Sequence, residues 1–227
     1  MHYERDLRAS GYLVIAGVDE VGRGPLAGPV CAAAAILPDG FDHPVLNDSK
    51  KLNGRQRESI YNELTQCGSV LWCCTMVEVD EIDRINILQA TWVAMRRAVD
   101  GLAKKADAAL IDGRPVKNFP IHHRALVKGD SLSFSIAAAS VIAKVTRDRL
   151  MCELAKKHPE YGFDDHKGYG TPRHLEALRR HGPCPIHRRS FAPVAEQALL
   201  FDAKRSPSGA SGTRAAGRGS GRAVAAT

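Results

Sequence analysis

Short apolar runs that end on an acid constrain this chain more than any other feature. Residues 13–18 are apolar and partly β-branched, and they run straight into Asp19-Glu20 and a string of glycines. Residues 108–111 (Ala-Ala-Leu-Ile) close on Asp112-Gly113. Residues 30–37 and 70–77 are further apolar runs of strand length. Runs this short, rich in β-branched residues and bounded by glycine, predict buried strands; 125–127 is a weaker candidate of the same kind. Between them, 53–66 reads as helical. Leu88, Trp92, Met95, Val99 and Leu102 recur at intervals of four and three, the spacing of an amphipathic helix. Residues 135–157 predict a long helix, and Pro172 followed by 174–180 predicts another with proline in its first turn. Strands alternating with helices place the chain in the α/β class.

Acids at the ends of neighbouring buried strands converge on one edge of a sheet. Asp19, Glu20 and Asp112 fall at such ends, and Asp130 follows Leu-Val-Lys-Gly at the entry to the long helix. Converging carboxylates repel one another unless cations lie among them. Hard divalent ions such as magnesium or manganese take oxygen ligands of this kind and share their shell with substrate phosphate. Each acid taken singly has an ordinary reading, since acids after strands and Asp-Gly turns are common in loops. Their surroundings favour the metal. Residues 19–29 form a loop punctuated by Gly22, Gly24 and Gly28 beside the acids. Glycine there lets backbone groups approach a ligand, which suits a sugar hydroxyl that both donates and accepts. Arg23 can hold a phosphate.

Net charge does not decide the partner. The 227 residues carry +7, but Lys204, Arg205, Arg214, Arg218 and Arg222, with no acid after Asp202, account for most of it and leave +2 for residues 1–202. The composition turns at about residue 203 to Gly, Ser, Ala and Arg, which predicts a folded domain over 1–202 and a disordered basic tail over 203–227. Six cysteines without a C-x-x-C pair argue for free thiols in a reducing cytosol rather than zinc or disulfides. No secretory leader or membrane-length run is apparent, so a cytoplasmic monomer is expected.

Taken in order, the motifs GVDEVGRGPLAGPV (17–30), NDSKKL (47–52), EIDRINILQAT (81–91), LIDG (110–113), KGD (128–130), SIAAASVIAKVTRD (135–148), HKGYGT (166–171) and GPCPIHRRSFAPV (182–194) resemble the ribonuclease HII family. The resemblance spans roughly 13–194. It implies a ribonuclease H-like α/β fold, a mixed sheet flanked by helices with a helical C-terminal part. It implies an endonuclease acting on RNA–DNA hybrids and 5′ of single ribonucleotides in duplex DNA, leaving 3′-hydroxyl ends, with two divalent ions. By that similarity Asp19, Glu20, Asp112 and Asp130 are the catalytic, metal-binding acids. Gly22, Arg23 and Gly24 would read the 2′-hydroxyl, and Tyr169 would stack on the sugar at the ribonucleotide–DNA junction. Lys50, Lys51 and Lys128 face the phosphate backbone or simply solvent. Asp148 is assigned to a structural ion pair.

The competing readings are a ribonuclease HIII, a non-catalytic nucleic-acid-binding domain of the same fold, and a kinase-like phosphate site. The short N-terminal lead and Arg23 disfavour the first, and the intact acids disfavour the second. The third lacks a G-x-x-x-x-G-K-[ST] loop. Finally, Gln197, Leu200 and Phe201 resemble part of a peptide that grips the sliding clamp; the alternative is the last turn of a C-terminal helix packed on the domain.

Overall fold

The computed structural model describes residues 2–46 and 52–205. Lys50 and Lys51, and the tail beyond 205, lie outside the described residues. In chain order the elements are α1 (His2–Ala9), β1 (Ile15–Val21), β2 (Val30–Ile36), α2 (Gly54–Gln66), β3 (Leu71–Val77), α3 (Val79–Asp100), β4 (Ala108–Asp112), β5 (His122–Leu126), α4 (Phe134–Lys157), α5 (Phe163–His166), α6 (Pro172–His181) and α7 (Ala192–Arg205). A 3-10 turn, Gly129–Ser131, sits just before α4. The sheet order is β3-β2-β1-β4-β5. β1, β2 and β3 form an antiparallel meander, while β4 and β5 join β1 in parallel. This is the mixed sheet with flanking helices that the sequence predicts.

β1, β2 and β4 are buried on both faces, which is why they read as unbroken apolar runs rather than alternating ones. Ala16, Val18, Ala32, Ala34, Ala109 and Ile111 pack toward α3. Cys31, Ala33 and Ala35 pack toward α4. The α4 helix lies unusually close to the sheet. A methyl group on Gly17 would stand 1.9 Å from the Ser135 carbonyl carbon, so only glycine admits that contact.

Several elements differ from expectation. The N-terminal helix α1 was not anticipated. It docks through Leu7, which packs with Ile15, Ala108, Leu126 and Ile136. Its buried Glu4 accepts from Ser133 Oγ (2.6 Å) and Ser135 Oγ (2.9 Å) at the N-terminus of α4, where negative charge meets the helix dipole favourably. β5 begins three residues before the predicted 125–127 and ends at Leu126. The α3 helix is kinked at Asn86 (φ 66°), whose Oδ1 accepts from Leu88 N and Gln89 N and so starts the helix afresh. Asp83, before the kink, accepts from Arg189 N (2.8 Å) and Ser190 N (3.0 Å) and ties α3 to the C-terminal segment. The helix α7 runs through residues 197–201 and past the expected boundary at 202. Among the described residues no helix is long and apolar enough to cross a membrane.

Candidate active site

The register of β1 and β4 brings two acids together. Val18 pairs with Ile111, so Asp19 and Asp112 are the next residues on two adjacent parallel strands. Alternation turns Asp19 toward α4, and Glu20 follows on the other side of the strand. Asp112 Oδ1 accepts from Gly129 N at 2.6 Å, which anchors the turn carrying Asp130. Asp130 itself is buried in that turn at 3% exposure. Two clefts flank the acids. One, of about 380 Å³, is lined by Asp19, Glu20, Asp112, Arg57, Lys144 and Tyr169. The other, of about 580 Å³, lies toward α3 and is lined by Glu20, Arg23, Asp112, Trp92, Met95 and Val127.

The carboxylates are under electrostatic load. Burial, then Glu20, then Asp112 push the Asp19 carboxyl well above its ordinary range, against hydrogen bonds from Ser140 and the Glu20 N–H. Burial raises Glu20 as well, while Arg23 at 3.2 Å opposes it. Among the described residues no three His, Cys, Asp or Glu side chains close around one point. The fit to a cation therefore rests on donor chemistry: hard carboxylate oxygens whose mutual repulsion a divalent ion would relieve.

A stability prediction follows. A carboxyl with a raised folded pKa keeps its proton in the folded state after the unfolded chain has lost it. Its destabilising effect thus sets in as pH rises from the ordinary carboxylate range up through the raised value. Without metal, Asp19→Asn should melt a few degrees above wild type at neutral pH, the shift that about 1 kcal/mol produces in a domain this size. The difference should shrink toward pH 4. A variant that melts below wild type at neutral pH would show that Asp19 carries no such load. Melting curves across pH in chelator decide it.

The glycine loop, residues 22–29, is braced from beneath by two fully buried arginines. Arg188 donates to Gly22 O (2.6 Å), Arg23 O (3.0 Å) and Gly28 O (2.9 Å). Arg147 donates to Pro29 O (2.9 Å), Ala27 O (3.1 Å) and Lys167 O (3.0 Å). A methyl group on Gly22 would stand 2.2 Å from Arg147 Nε, so that glycine is required by its brace as well as by its positive φ of 90°. With the carbonyls of Gly22 and Arg23 engaged inward, trans peptide geometry turns the N–H groups of Arg23 and Gly24 the opposite way. Burial pushes the Arg188 guanidinium down to about 9, which leaves it charged at neutral pH.

Tyr169 stands against this loop, 43% exposed, with its ring 3.5 Å from where a methyl on Gly24 would be. Lys128 is exposed, in a left-handed backbone conformation just before Gly129. Asp148 pairs with Lys144 at 2.9 Å, as expected. Phe201 packs on Gly182, whereas Leu199 and Leu200 of the same helix are exposed. The thiols are free, with Cys31 and Cys184 buried and Cys67 exposed. Residue-type reasoning missed Ser140, Arg147, Arg188, His174 and His187. All but His174 lie inside the quoted motifs, and nothing in their residue types marks them as site supports.

The family model for ribonuclease HII matches residues 16–194. A ribonuclease HII from Syntrophobacter fumaroxidans is 54% identical over 194 residues, covering 86% of this chain and 83% of that one. A ribonuclease HII from Myxococcus xanthus is 53% identical over 197 residues, covering 86% and 67%. Among solved structures, ribonuclease H2 from Pyrococcus horikoshii superposes with a TM-score of 0.71 at 27% identity, covering 84% of this chain and 99% of that one. The Archaeoglobus fulgidus ribonuclease HII solved in complex with PCNA gives 0.65 at 25%, covering 78% and 94%. A Bst ribonuclease HIII, at 22% identity and a TM-score of 0.60, shares the fold. With Asp19, Glu20, Asp112 and Tyr169 already lining one cleft, these matches make the chain a member of the ribonuclease HII family, an enzyme that hydrolyses the RNA strand of RNA–DNA hybrids.

Proposed function

We propose that the enzyme also cuts duplex DNA on the 5′ side of a single embedded ribonucleotide, and that Asp19, Glu20, Asp112 and Asp130 hold the divalent ions it needs. The observation that carries this reading is the shared cleft, in which Asp19, Glu20 and Asp112 face the same space as Tyr169. When bound, two such ions supply an activated water and stabilise the leaving 3′-oxygen in an in-line phosphodiester hydrolysis. The chain supplies the recognition. The N–H groups of the Gly22–Gly24 loop donate to a 2′-hydroxyl oxygen, which a deoxyribose lacks. Arg23 and Lys128 take phosphates on either side. The exposed Tyr169 ring stacks on the sugar that follows and fixes the scissile phosphate beside the acids.

The test is digestion of labelled duplexes, one with a single ribonucleotide and one all DNA, with magnesium, with manganese and with chelator. Cleavage is expected only 5′ of the ribonucleotide and only with metal. Cutting of the all-DNA duplex, or equal cutting in chelator, would sink the proposal.

Clamp binding through Gln197, Leu200 and Phe201 has support in the exposure of Leu200 and in the PCNA complex of the Archaeoglobus relative. The packing of Phe201 on Gly182 opposes it. Titration of a sliding clamp with wild type and with a Gln197→Ala, Leu200→Ala variant separates the two, since neither substitution disturbs Phe201.

A further inference from the structure

The main chain of Tyr169 is tied down at every polar group while its ring stays exposed. Tyr169 N donates to His166 O at 2.9 Å, and Gly168 O accepts from Leu26 N at 2.8 Å. Gly168 N donates to His166 Nδ1 at 3.2 Å. Tyr169 O accepts from Thr171 N at 2.8 Å and meets His174 Nδ1 at 2.9 Å. Behind His174 lies a second buried imidazole, with His174 Nε2 3.0 Å from His187 Nε2. His187 Nδ1 in turn is 3.0 Å from Cys184 N.

Only one arrangement of protons satisfies this chain. A carbonyl can only accept, so His174 carries its proton on Nδ1. A backbone N–H can only donate, so His187 Nδ1 is bare and its proton is on Nε2. The two Nε2 atoms are then donor and acceptor, as their 3.0 Å separation requires. Both rings are neutral, and burial keeps them so. His187 is pushed down to about 3 by burial and then by its histidine neighbour, and His174 is lowered by burial. His174 also stacks on His166 with ring centres 4.5 Å apart and planes within 11°. Its position is set by α6, where its own N–H donates to Thr171 Oγ1 at 3.3 Å.

We infer that His174 and His187 are positioning residues of the cleavage reaction: through one directional chain of hydrogen bonds from Cys184 they fix the Tyr169 main chain, and so aim its ring at the junction sugar. This rests on the stacking role proposed above for Tyr169. An aromatic platform contributes to a transition state only if it is already in place. A ring held on an immobilised backbone loses little freedom on binding.

The experiment is a double-mutant cycle on the single-ribonucleotide duplex. His174→Phe keeps the ring stack and removes the side-chain donor to Tyr169 O, leaving Thr171 N at 2.8 Å. It should lower kcat/KM by about 10-fold, the loss typical of residues that orient a working group. In a Tyr169→Ala background the same substitution should change kcat/KM little, because nothing remains to be aimed. His174→Asn, whose amide N–H can stand where Nδ1–H stood, should recover most of the loss. Equal losses in both backgrounds would mean that the histidines support only the fold, and would overturn the inference. Tyr169→Ala with an unchanged rate would remove the stacking role itself and the inference with it, a result distinct from equal losses. Should His174→Phe not fold, fluorotyrosine-labelled His174→Asn and His187→Gln give a second reading by ¹⁹F NMR, with the Tyr169 signal assigned from Tyr169→Phe. A shifted or broadened Tyr169 signal in His187→Gln supports the chain, and a signal unmoved in both variants overturns it.

Discussion

Asp112→Asn is expected to fold as wild type and to lose at least about 100-fold in kcat, since even groups one shell removed from a metal cost 10–100-fold and a direct ligand costs more. The fold should survive because the structural bond at this position needs only an oxygen. Gly129 N donates to Asp112 Oδ1 at 2.6 Å, and an asparagine Oδ1 accepts it equally well. What the amide lacks is negative charge, the property by which a carboxylate holds a hard cation. Matched melting curves and single-turnover rates on a hybrid substrate, at saturating metal, give the answer. A variant that cleaves within a few-fold of wild type would remove Asp112 from the site.

Arg188→Met is expected to have the largest effect on stability of any substitution near the site. It removes the donors from Gly22 O and Gly28 O, which are buried, and from Arg23 O, which is partly buried. An unsatisfied buried carbonyl costs about 1–3 kcal/mol, so the total is on the order of 3–6 kcal/mol even after the buried charge is relieved. In a domain of this size that is a fall in Tm of roughly 10 °C or more. Arg188→Lys should rescue little, because a single ammonium cannot span three carbonyls as a planar fork does. Discrimination against all-DNA duplex should weaken together with Tm, since the loop loses its shape. A lysine variant with wild-type melting and wild-type selectivity would show that the brace is dispensable.

The parts legible in the sequence were those whose residue types report their own environment. A strand buried on both faces has to be apolar throughout, so β1, β2 and β4 stand out, and an acid at the end of such a strand stands out against it. Asp19, Glu20 and Asp112 were found in this way, and the family resemblance added Tyr169. The eight-residue α1 was not visible, because a helix so short is marginal by itself and this one is held by Leu7 and Glu4 docking on distant residues. β5 begins His-His-Arg and lies at the sheet edge, where exposed polar residues blur the strand pattern. The arginine brace was hidden for another reason. Arginine in a sequence reads as surface, and the partners of Arg147 and Arg188 are carbonyls, which have no sequence identity. The hydrogen-bonded histidines were illegible for the same reason, since their tautomers are set by backbone groups brought together by the fold.

The mixed pairing of the sheet also sets an order of assembly during synthesis. The β1–β2–β3 meander lies wholly within residues 15–77, with α2 in the connection between β2 and β3. The pairing of Ile15 with Ala108 joins residues more than ninety apart, so its closure carries a larger entropic cost and comes later. The helix that seals the far side of the sheet at Gly17 is made later still. A nascent chain therefore displays Asp19 and Glu20 long before Asp112 can stand beside them. The cleft between β1 and β4 is assembled only after the chain has been made past Asp112.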